Sequence, residues 1–199
     1  MNLHTELITD FSLIENIYTE CIKKDFPSNE LKPLSVINKK WIEHQYDCFG
    51  LYSEAQLIGY AFFFKIPNSE KQYYYLIDYL AILPKYRNRG CGSVFLKQLS
   101  DKITDAECMV LEVEDPGKEE DGARRVLQQK RIEFYLRNGY INTGNTVRVF
   151  GVHYLLLEVP CGGRSLSTEE IREIYETMYK SMLLKSIFRN EFKWTDQSL

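Results

Sequence analysis

One segment of the sequence combines an apolar run with a loop that contains two arginines and two glycines. The run Leu80-Ala81-Ile82 leads into a loop formed by Arg87, Asn88, Arg89, Gly90, Cys91, Gly92 and Ser93. Arginine side chains make charge-assisted contacts with anions, and glycines let the backbone approach a ligand without an intervening Cβ. Because a helix is predicted to begin here, its N-terminal amide groups add positive potential. The segment therefore predicts a pyrophosphate site, with an ordinary strand-to-helix turn as the alternative.

Two well-known nucleotide-binding loops do not fit this segment. A Walker loop requires Gly-Lys-Ser/Thr, which the segment lacks, and a Rossmann fingerprint requires a third glycine where Phe95 stands. Cys91 lies inside the loop, and we interpret it as a small structural residue. The sequence therefore excludes both of these loops.

Two carboxylates interrupt apolar segments that are typical of strands. Asp78 lies in the run 76–80, where an unpaired buried carboxylate would be costly, so it is predicted to be either paired or functional. Glu112 lies between Leu111 and Val113, and strand alternation places it on the opposite face from both. Each carboxylate is a candidate general base.

An acidic stretch follows the second of these strands. Residues 112–121 contain six carboxylates and one lysine. Such an acidic stretch would attract a cationic molecule and disfavour an anionic one. The alternative interpretation is a solvated loop without a binding role.

The elements that must position these residues follow from hydrophobic periodicity. Their order is α-α-β-β-β-α-β-α-β-β, with a short strand at 3–9 before the first helix. Helices are predicted at 11–24, at about 35–45, after residue 90 and at 123–138. Strands are predicted at 47–53, 57–65, 73–83, 108–114, about 140–149 and 151–159. The predominantly apolar runs at 73–83 and 108–114 indicate central strands buried on both faces.

Residues 160–199 form a predicted helical extension. Ser167 and Glu170 have the spacing of a capping box, and an apolar helix face follows from Ile171 to Leu183. This helix is expected to pack on the domain or to be swapped between copies. A dimer contact or a cover over the active site is the alternative role.

Length and composition limit the class of protein. The chain has 199 residues, 44% hydrophobic and 27% charged, and a net charge of −3, which fits one globular domain with an extension. The balanced charge provides no overall attraction to nucleic acid. No apolar run approaches the ~20 residues of a membrane span, and the N-terminus lacks the pattern of a secretion signal. The five cysteines and three histidines are scattered, so we expect reduced thiols, no metal site and a cytoplasmic protein.

Three motifs together resemble the GCN5-related N-acetyltransferase (GNAT) family. The first is Leu80-Ala81-Ile82 followed by Arg87-x-x-Gly90-x-Gly92, which matches the family's motif A. The second is Leu111-Glu112-Val113, which resembles its fifth strand, and the third is Phe134-Tyr135-x-x-x-Gly139-Tyr140. They occur in the family's order, and the resemblance covers about residues 1–159.

The resemblance implies a fold and a cofactor. The fold is α+β, an α/β/α sandwich with a mixed, mostly antiparallel sheet of six to seven strands flanked by helices, plus the C-terminal helical extension. Acetyl-CoA is the implied donor, with its pyrophosphate on the backbone at 87–93 and its pantetheine arm on the backbone of Leu80, Ala81 and Ile82. Gln128 and Arg131 stand where the family usually has Asn and Ala, and we include both in the cofactor site.

The resemblance also implies an activity for the predicted catalytic domain, residues 1–159. Acetyl transfer to a primary amine would occur directly in a ternary complex, with Tyr135 as general acid and Glu112, or Asp78, as base. The expected acceptor is a small amine or a protein amino group, and the protein would be a monomer or a homodimer that binds neither nucleic acid nor membrane. A non-catalytic CoA-binding regulatory or interaction domain, and transfer to a hydroxyl, are the alternatives.

Overall fold

The computed structural model describes residues 2–68, 70, 72–161 and 164–195. The chain divides into two compact units, the first formed by Met1–Lys71 and Ile77–Asp105 and the second by Gln72–Leu76 and Ala106–Leu199. The predicted division into residues 1–159 and 160–199 stays a prediction.

The first unit contains the N-terminal strands and helices. The strands β1 (Leu3–Leu7), β2 (Tyr46–Ser53), β3 (Gln56–Pro67) and β4 (Tyr73–Ile82) lie side by side in that order, and β4 belongs to this unit from Ile77 onward. The β1–β2 and β2–β3 pairs are antiparallel. The helices are α1 (Phe11–Ile17), α2 (Lys23–Asp25), α3 (Leu34–Ile42) and α4 (Cys91–Lys102). The core is aromatic, because Tyr60, Phe62, Phe63 and Phe64 of β3 are fully buried.

The predicted helix at 11–24 forms in three parts. Asp10 caps α1 by accepting a hydrogen bond from the Ser12 amide at 2.9 Å. A π-helical segment, Tyr18–Ile22, separates α1 from α2. Ile14, Ile17 and Ile22 remain buried through the change, so one apolar face serves all three parts.

The second unit contains the C-terminal half of the chain. Its strands β5 (Ala106–Glu114), β6 (Ile141–Val149), β7 (Val152–Pro160) and β8 (Phe192–Trp194) have the order β5-β7-β6-β8, and each neighbouring pair is antiparallel. Its helices are α5 (Gly122–Arg137), α6 (Thr168–Met182) and α7 (Lys185–Glu191). Gly139 ends α5 with φ +91°, a conformation that favours glycine.

The α+β class and the mostly antiparallel strands flanked by helices are confirmed. Within the described residues there are eight strands, one more than the upper end of the predicted range. The additional strand is β8, which has only three residues and pairs with the edge of β6. No helix in these described ranges has an apolar stretch long enough to cross a membrane.

The C-terminal extension has the predicted capping box. The Glu170 amide donates to Ser167 Oγ at 3.1 Å, and the Ser167 amide donates to Glu170 Oε2 at 2.8 Å. The apolar face of α6 is buried, and its tyrosines pack in an aromatic cluster with rings from α7 and β8. The members of this cluster are Tyr175, Tyr179, Phe188, Phe192 and Trp194.

Each unit contains one of the two tryptophans of the chain. Trp41 of the first unit packs against Phe11, with ring centroids 5.3 Å apart. Trp194 of the second unit lies 5.7 Å from the Tyr175 ring. The two indoles therefore have separate environments.

Candidate active site

The loop that links β4 to α4 has the conformation that its glycine requires. A 3-10 turn at Pro84–Tyr86 is followed by extended Arg87, by Asn88 at φ 60° and by Gly90 at φ 78°. Gly90 is the N-cap of α4 and has no side chain to cap the first-turn amide groups. A Cβ built on Gly90 would meet nothing within 4 Å, so this side of the loop is open. These features fit the approach of an anion to the backbone.

The Arg87 side chain links this loop to the end of β4 and to Asp25. Its Nε donates to the Ile82 carbonyl at 2.7 Å, and its guanidinium pairs with Asp25 Oδ1 at 2.9 Å. Asp25 also accepts a hydrogen bond from the Tyr60 hydroxyl at 2.9 Å. The Arg87 guanidinium is therefore paired with a carboxylate of the protein. Both Arg87 and Arg89 are exposed.

Asp78 is the centre of a buried polar network in the first unit. Its side chain is 3% exposed, forms an ion pair with Lys32 and accepts a hydrogen bond from the Tyr46 hydroxyl. Burial, with the Asp78 charge as a further cause, raises the pKa of Tyr46 well above its usual value. Tyr79 accepts a hydrogen bond from the Lys32 amide at 2.7 Å and donates to the Glu30 carbonyl at 3.1 Å. Asp78 is thus a paired carboxylate that fixes the segment around residues 30–32.

Glu112 lies in the second unit and contacts the C-terminal extension. Its Oε1 accepts hydrogen bonds from the hydroxyls of Tyr175, at 2.6 Å, and Tyr179, at 2.5 Å. Burial and the Glu112 charge raise the pKa of Tyr175 well above its usual value, so this phenol keeps its proton. Neither tyrosine was predicted as a site residue, because their positions on α6 fit an apolar core face.

Tyr135 lies on α5 and is buried between aromatic rings. The ring centroids of Phe134 and Tyr140 are 5.2 Å and 5.3 Å away, both in edge-to-face arrangements. In the part of the chain that the structure describes, the Tyr135 hydroxyl has no hydrogen-bond partner. Burial raises the pKa of Tyr135 to about 12, while Arg131 opposes the shift. The hydroxyl therefore remains protonated near neutral pH.

Two further α5 side chains contact carboxylates of the same unit. Arg131 forms an ion pair with Glu114. Gln128 is 7% exposed, and its Nε2 donates to Glu119 Oε2 at 3.2 Å. Its buried Oε1 has no partner among the described residues. Gln128 therefore has one unsatisfied acceptor that a ligand N–H could use.

The comparison with protein families is decisive. The model of the acetyltransferase (GNAT) family matches residues 12–140, more than half of the chain. The chain belongs to the GNAT acetyltransferase family. It is accordingly an acyltransferase, and the predicted family and enzyme class are confirmed. No curated protein sequence is significantly similar to it.

Solved GNAT structures share the fold at low sequence identity. A protein described as a GNAT-family acetyltransferase from Bacteroides thetaiotaomicron is 20% identical, with a TM-score of 0.65, over 92% of this chain and 99% of its own. Arabidopsis thaliana Naa50, in complex with the bisubstrate analogue CoA-Ac-MVNAL, is 15% identical, with a TM-score of 0.59, over 83% and 100%. A spermidine N-acetyltransferase SpeG chimera from Vibrio cholerae and hSSAT is 14% identical, with a TM-score of 0.57, over 81% and 97%. At these identities the comparison supports the fold alone.

The predicted site residues of this GNAT chain divide between its two units. Asp78, residues 80–82 and residues 87–93 belong to the first unit, with 80–82 half-buried on β4. The second unit contains the remaining predicted residues, which are Glu112, Gln128, Arg131 and Tyr135. No group of three or more His, Cys, Asp or Glu in the described residues could hold a metal ion.

The acidic stretch of this GNAT chain is largely committed to local hydrogen bonds. Asp115 accepts from the Gly117 amide at 2.8 Å. Asp121 caps α5 by accepting from the Ala123 and Arg124 amides at 2.8 and 2.9 Å, and Glu119 accepts from the Asp121 amide at 3.0 Å. The stretch is therefore both a structured connection and a concentration of negative charge.

Proposed function

We propose that the protein transfers the acetyl group of acetyl-CoA to a primary amine by direct transfer in a ternary complex. The observation that carries the proposal is the loop at 87–93, in which Gly90 adopts φ 78° at the uncapped N-terminus of α4 in a GNAT chain. Main-chain amide groups in this conformation can bind pyrophosphate oxygens. Acetyl-CoA would supply the activated acetyl thioester.

Two features of the structure fit this donor. The open space beside Gly90 allows phosphate to approach the backbone, because no Cβ intervenes. The unpartnered, buried Oε1 of Gln128 can accept a hydrogen bond from an amide N–H such as those of pantetheine. The backbone of Leu80, Ala81 and Ile82 would provide further main-chain contacts.

Glu112 is the base that we favour. A lysine-type amine has a pKa of about 10.4, so near neutral pH it must lose a proton before it can act as a nucleophile. Asp78 is less suited to accept that proton, because its carboxylate is already engaged by the Lys32 ammonium and the Tyr46 hydroxyl. Glu112 accepts hydrogen bonds from the hydroxyls of Tyr175 and Tyr179 and lies in the strand motif Leu111-Glu112-Val113.

Tyr135 is the general acid that we favour. Its hydroxyl keeps its proton, since the pKa is raised to about 12, and it has no competing partner within the described residues. Transfer from this buried phenol to a thiolate whose parent thiol kept its aqueous pKa of about 8.5 would be uphill by roughly 5 kcal/mol. Burial also raises the pKa of a thiol. The difference between the pKa of Tyr135 and that of the departing thiol is therefore smaller in an apolar site.

The acceptor class follows from charge. The stretch 112–121 concentrates negative charge and favours a cationic acceptor, either a small amine or a protein amino group. Spermidine, the substrate named for one structural neighbour, is such an amine. Release of free thiol from acetyl-CoA with a panel of primary amines tests the activity. Thiol release with hydroxyl acceptors alone, or with none, would contradict the proposal.

Binding of the acetyl donor is tested with two variants of Gly90 that differ from each other only in charge. Asp and Asn both tolerate positive φ better than other side chains, so Gly90→Asp and Gly90→Asn should fold. Acetyl-CoA should raise the Tm of the wild type by mass action, and Gly90→Asp should lose this shift because its carboxylate repels the pyrophosphate. Gly90→Asn is the uncharged control and should retain a larger share of it. An undiminished shift in Gly90→Asp would overturn the loop assignment.

A further inference from the structure

The Glu112 carboxylate is hydrogen-bonded by two tyrosines from the C-terminal extension. Tyr175 and Tyr179 lie one helical turn apart on α6, so their side chains emerge on the same face. Both hydroxyls donate to one oxygen, Glu112 Oε1. The rings are 0% and 2% exposed, so these hydrogen bonds are shielded from water.

The two phenols are held rigidly. Their ring centroids are 4.9 Å apart, and Phe192 lies 5.7 Å from Tyr175 and 5.4 Å from Tyr179. The start of α6 is fixed to a bulge in β6, because the buried Asn145 donates to the Thr168 carbonyl at 3.1 Å and accepts from Arg172 at 3.0 Å. The position of Glu112 Oε1 is therefore set by α6.

We propose that Tyr175 and Tyr179 are positioning residues through which the C-terminal helix orients the Glu112 carboxylate for proton removal from the acceptor amine. This inference rests on the proposed function, in which Glu112 is the base. In that step an N–H bond of the ammonium breaks, an O–H bond forms on Glu112, and both formal charges disappear. The nitrogen keeps the electron pair with which it attacks the acetyl group.

Two donors on one oxygen stabilise the ionised carboxylate. Other residues lie on the same face of the sheet as Glu112. Glu112 is opposite Leu156 of β7, and the adjacent pairs on the same face place Tyr154 opposite Glu114 and Glu158 opposite Val110. Titratable and charged groups on the elements around Glu112 include Glu114 on β5, Arg131 and Tyr135 on α5, Tyr154 and Glu158 on β7, and Tyr175 and Tyr179 on α6. Both α6 phenols donate to Glu112 Oε1.

The test is the pH dependence of kcat/KM in Tyr175→Phe, Tyr179→Phe and the double variant. The acidic limb of this pH profile reports the ionisation of the base. Loss of a hydrogen-bond donor destabilises the ionised form of Glu112, so the acidic limb should move to higher pH. The double variant should shift by about one to two pH units, and each single variant, which keeps one donor, by less. Trp194→Phe is the matched control, because it removes a 2.8 Å hydrogen bond to Glu176 from the same aromatic cluster. Its limb should not move.

A second measurement separates positioning from structural support. In a Glu112→Gln background, the two Tyr→Phe changes should have no further effect on turnover, because the group on which they act is gone. If the limb stays in place and only the Tm falls, the phenols are structural and the inference is overturned. If Glu112→Gln itself leaves turnover and the limb unchanged, the assignment of the base fails and the inference fails with it.

Discussion

At the scale of single residues, three buried tyrosines of the second unit have different chemical situations. Tyr175 and Tyr179 donate to Glu112, whereas the Tyr135 hydroxyl has no hydrogen-bond partner in the described part of the chain. A proton donor in catalysis must be able to turn toward its target. The hydrogen-bonding pattern therefore distinguishes the proposed acid from the proposed positioning residues, although all three side chains are buried.

Tyr135→Phe tests the proposed acid. The change keeps the ring and removes the proton, so kcat should fall about 10²- to 10⁴-fold while the affinity for acetyl-CoA changes little. In the wild type, the pKa of about 12 predicts no loss of rate from Tyr135 ionisation until the pH approaches that value.

Tyr140→Phe is the matched control for this change. Tyr140 lies against the Tyr135 ring, is equally buried and has a phenol that the proposed mechanism does not use. Its turnover should stay near the wild-type value. A near-normal rate in Tyr135→Phe would make Tyr135 a core residue.

The sequence indicates Glu112 and Tyr135 as candidate catalytic residues because each lies inside a family motif. It could not identify Tyr175 and Tyr179, because a tyrosine on an apolar helix face has the same spacing whether or not its hydroxyl meets a carboxylate. For Asp78 the sequence predicted either a paired or a functional carboxylate. It could not choose between them, because the partner Lys32 is 46 positions away. Such long-range pairs depend on the fold and are not visible in local spacing.

At the scale of elements, the start of α6 affects the position of its tyrosines. Ser167→Ala removes one half of the capping box and should lower the free energy of unfolding by about 1 kcal/mol. Ser167→Thr, which keeps a capping hydroxyl, should stay close to the wild type. Urea denaturation of the three proteins measures the difference, and equal midpoints would show that the cap contributes nothing.

The long, periodic elements and the short first strand β1 were predictable, whereas some other short segments were not. The helix after residue 90, the strands at β2, β3 and β5, and the capping box all follow from local patterns. The segments α7 and β8 were missed, because β8 is only three residues long and exists through its pairing with β6. The π-helical turn at 18–22 also leaves no local signature, since the same apolar residues stay buried.

At the scale of the whole molecule, buried phenols predict a loss of stability in alkali. The pKa values of several tyrosines are raised, chiefly by burial, and these residues are Tyr18, Tyr46, Tyr60, Tyr135, Tyr140 and Tyr175. Above about pH 10 the unfolded chain loses these protons while the folded chain keeps them, so the free energy of unfolding must fall. The buried thiols of Cys48 and Cys108 add a loss of the same sign from about pH 9.

Urea titrations at pH 8, 9, 10 and 11 measure this dependence. The free energy of unfolding should change little between pH 8 and 9 and then decrease progressively through pH 11. Tyr140→Phe should reduce the alkaline loss, because one phenol with a raised pKa is removed. Constant stability to pH 11 would show that the phenols ionise alike in both states.

The placement of one tryptophan in each unit gives the protein two separate optical reporters. Indole emission moves to longer wavelength when water reaches the ring, so Trp41→Phe and Trp194→Phe each leave a fluorophore that follows a single unit. The Tyr175 ring is 5.7 Å from Trp194, close enough for excitation energy to pass from phenol to indole. Tyrosine-sensitised emission of Trp194 would therefore disappear when α6 and β8 come apart, even while the emission of Trp41 still corresponds to a folded first unit.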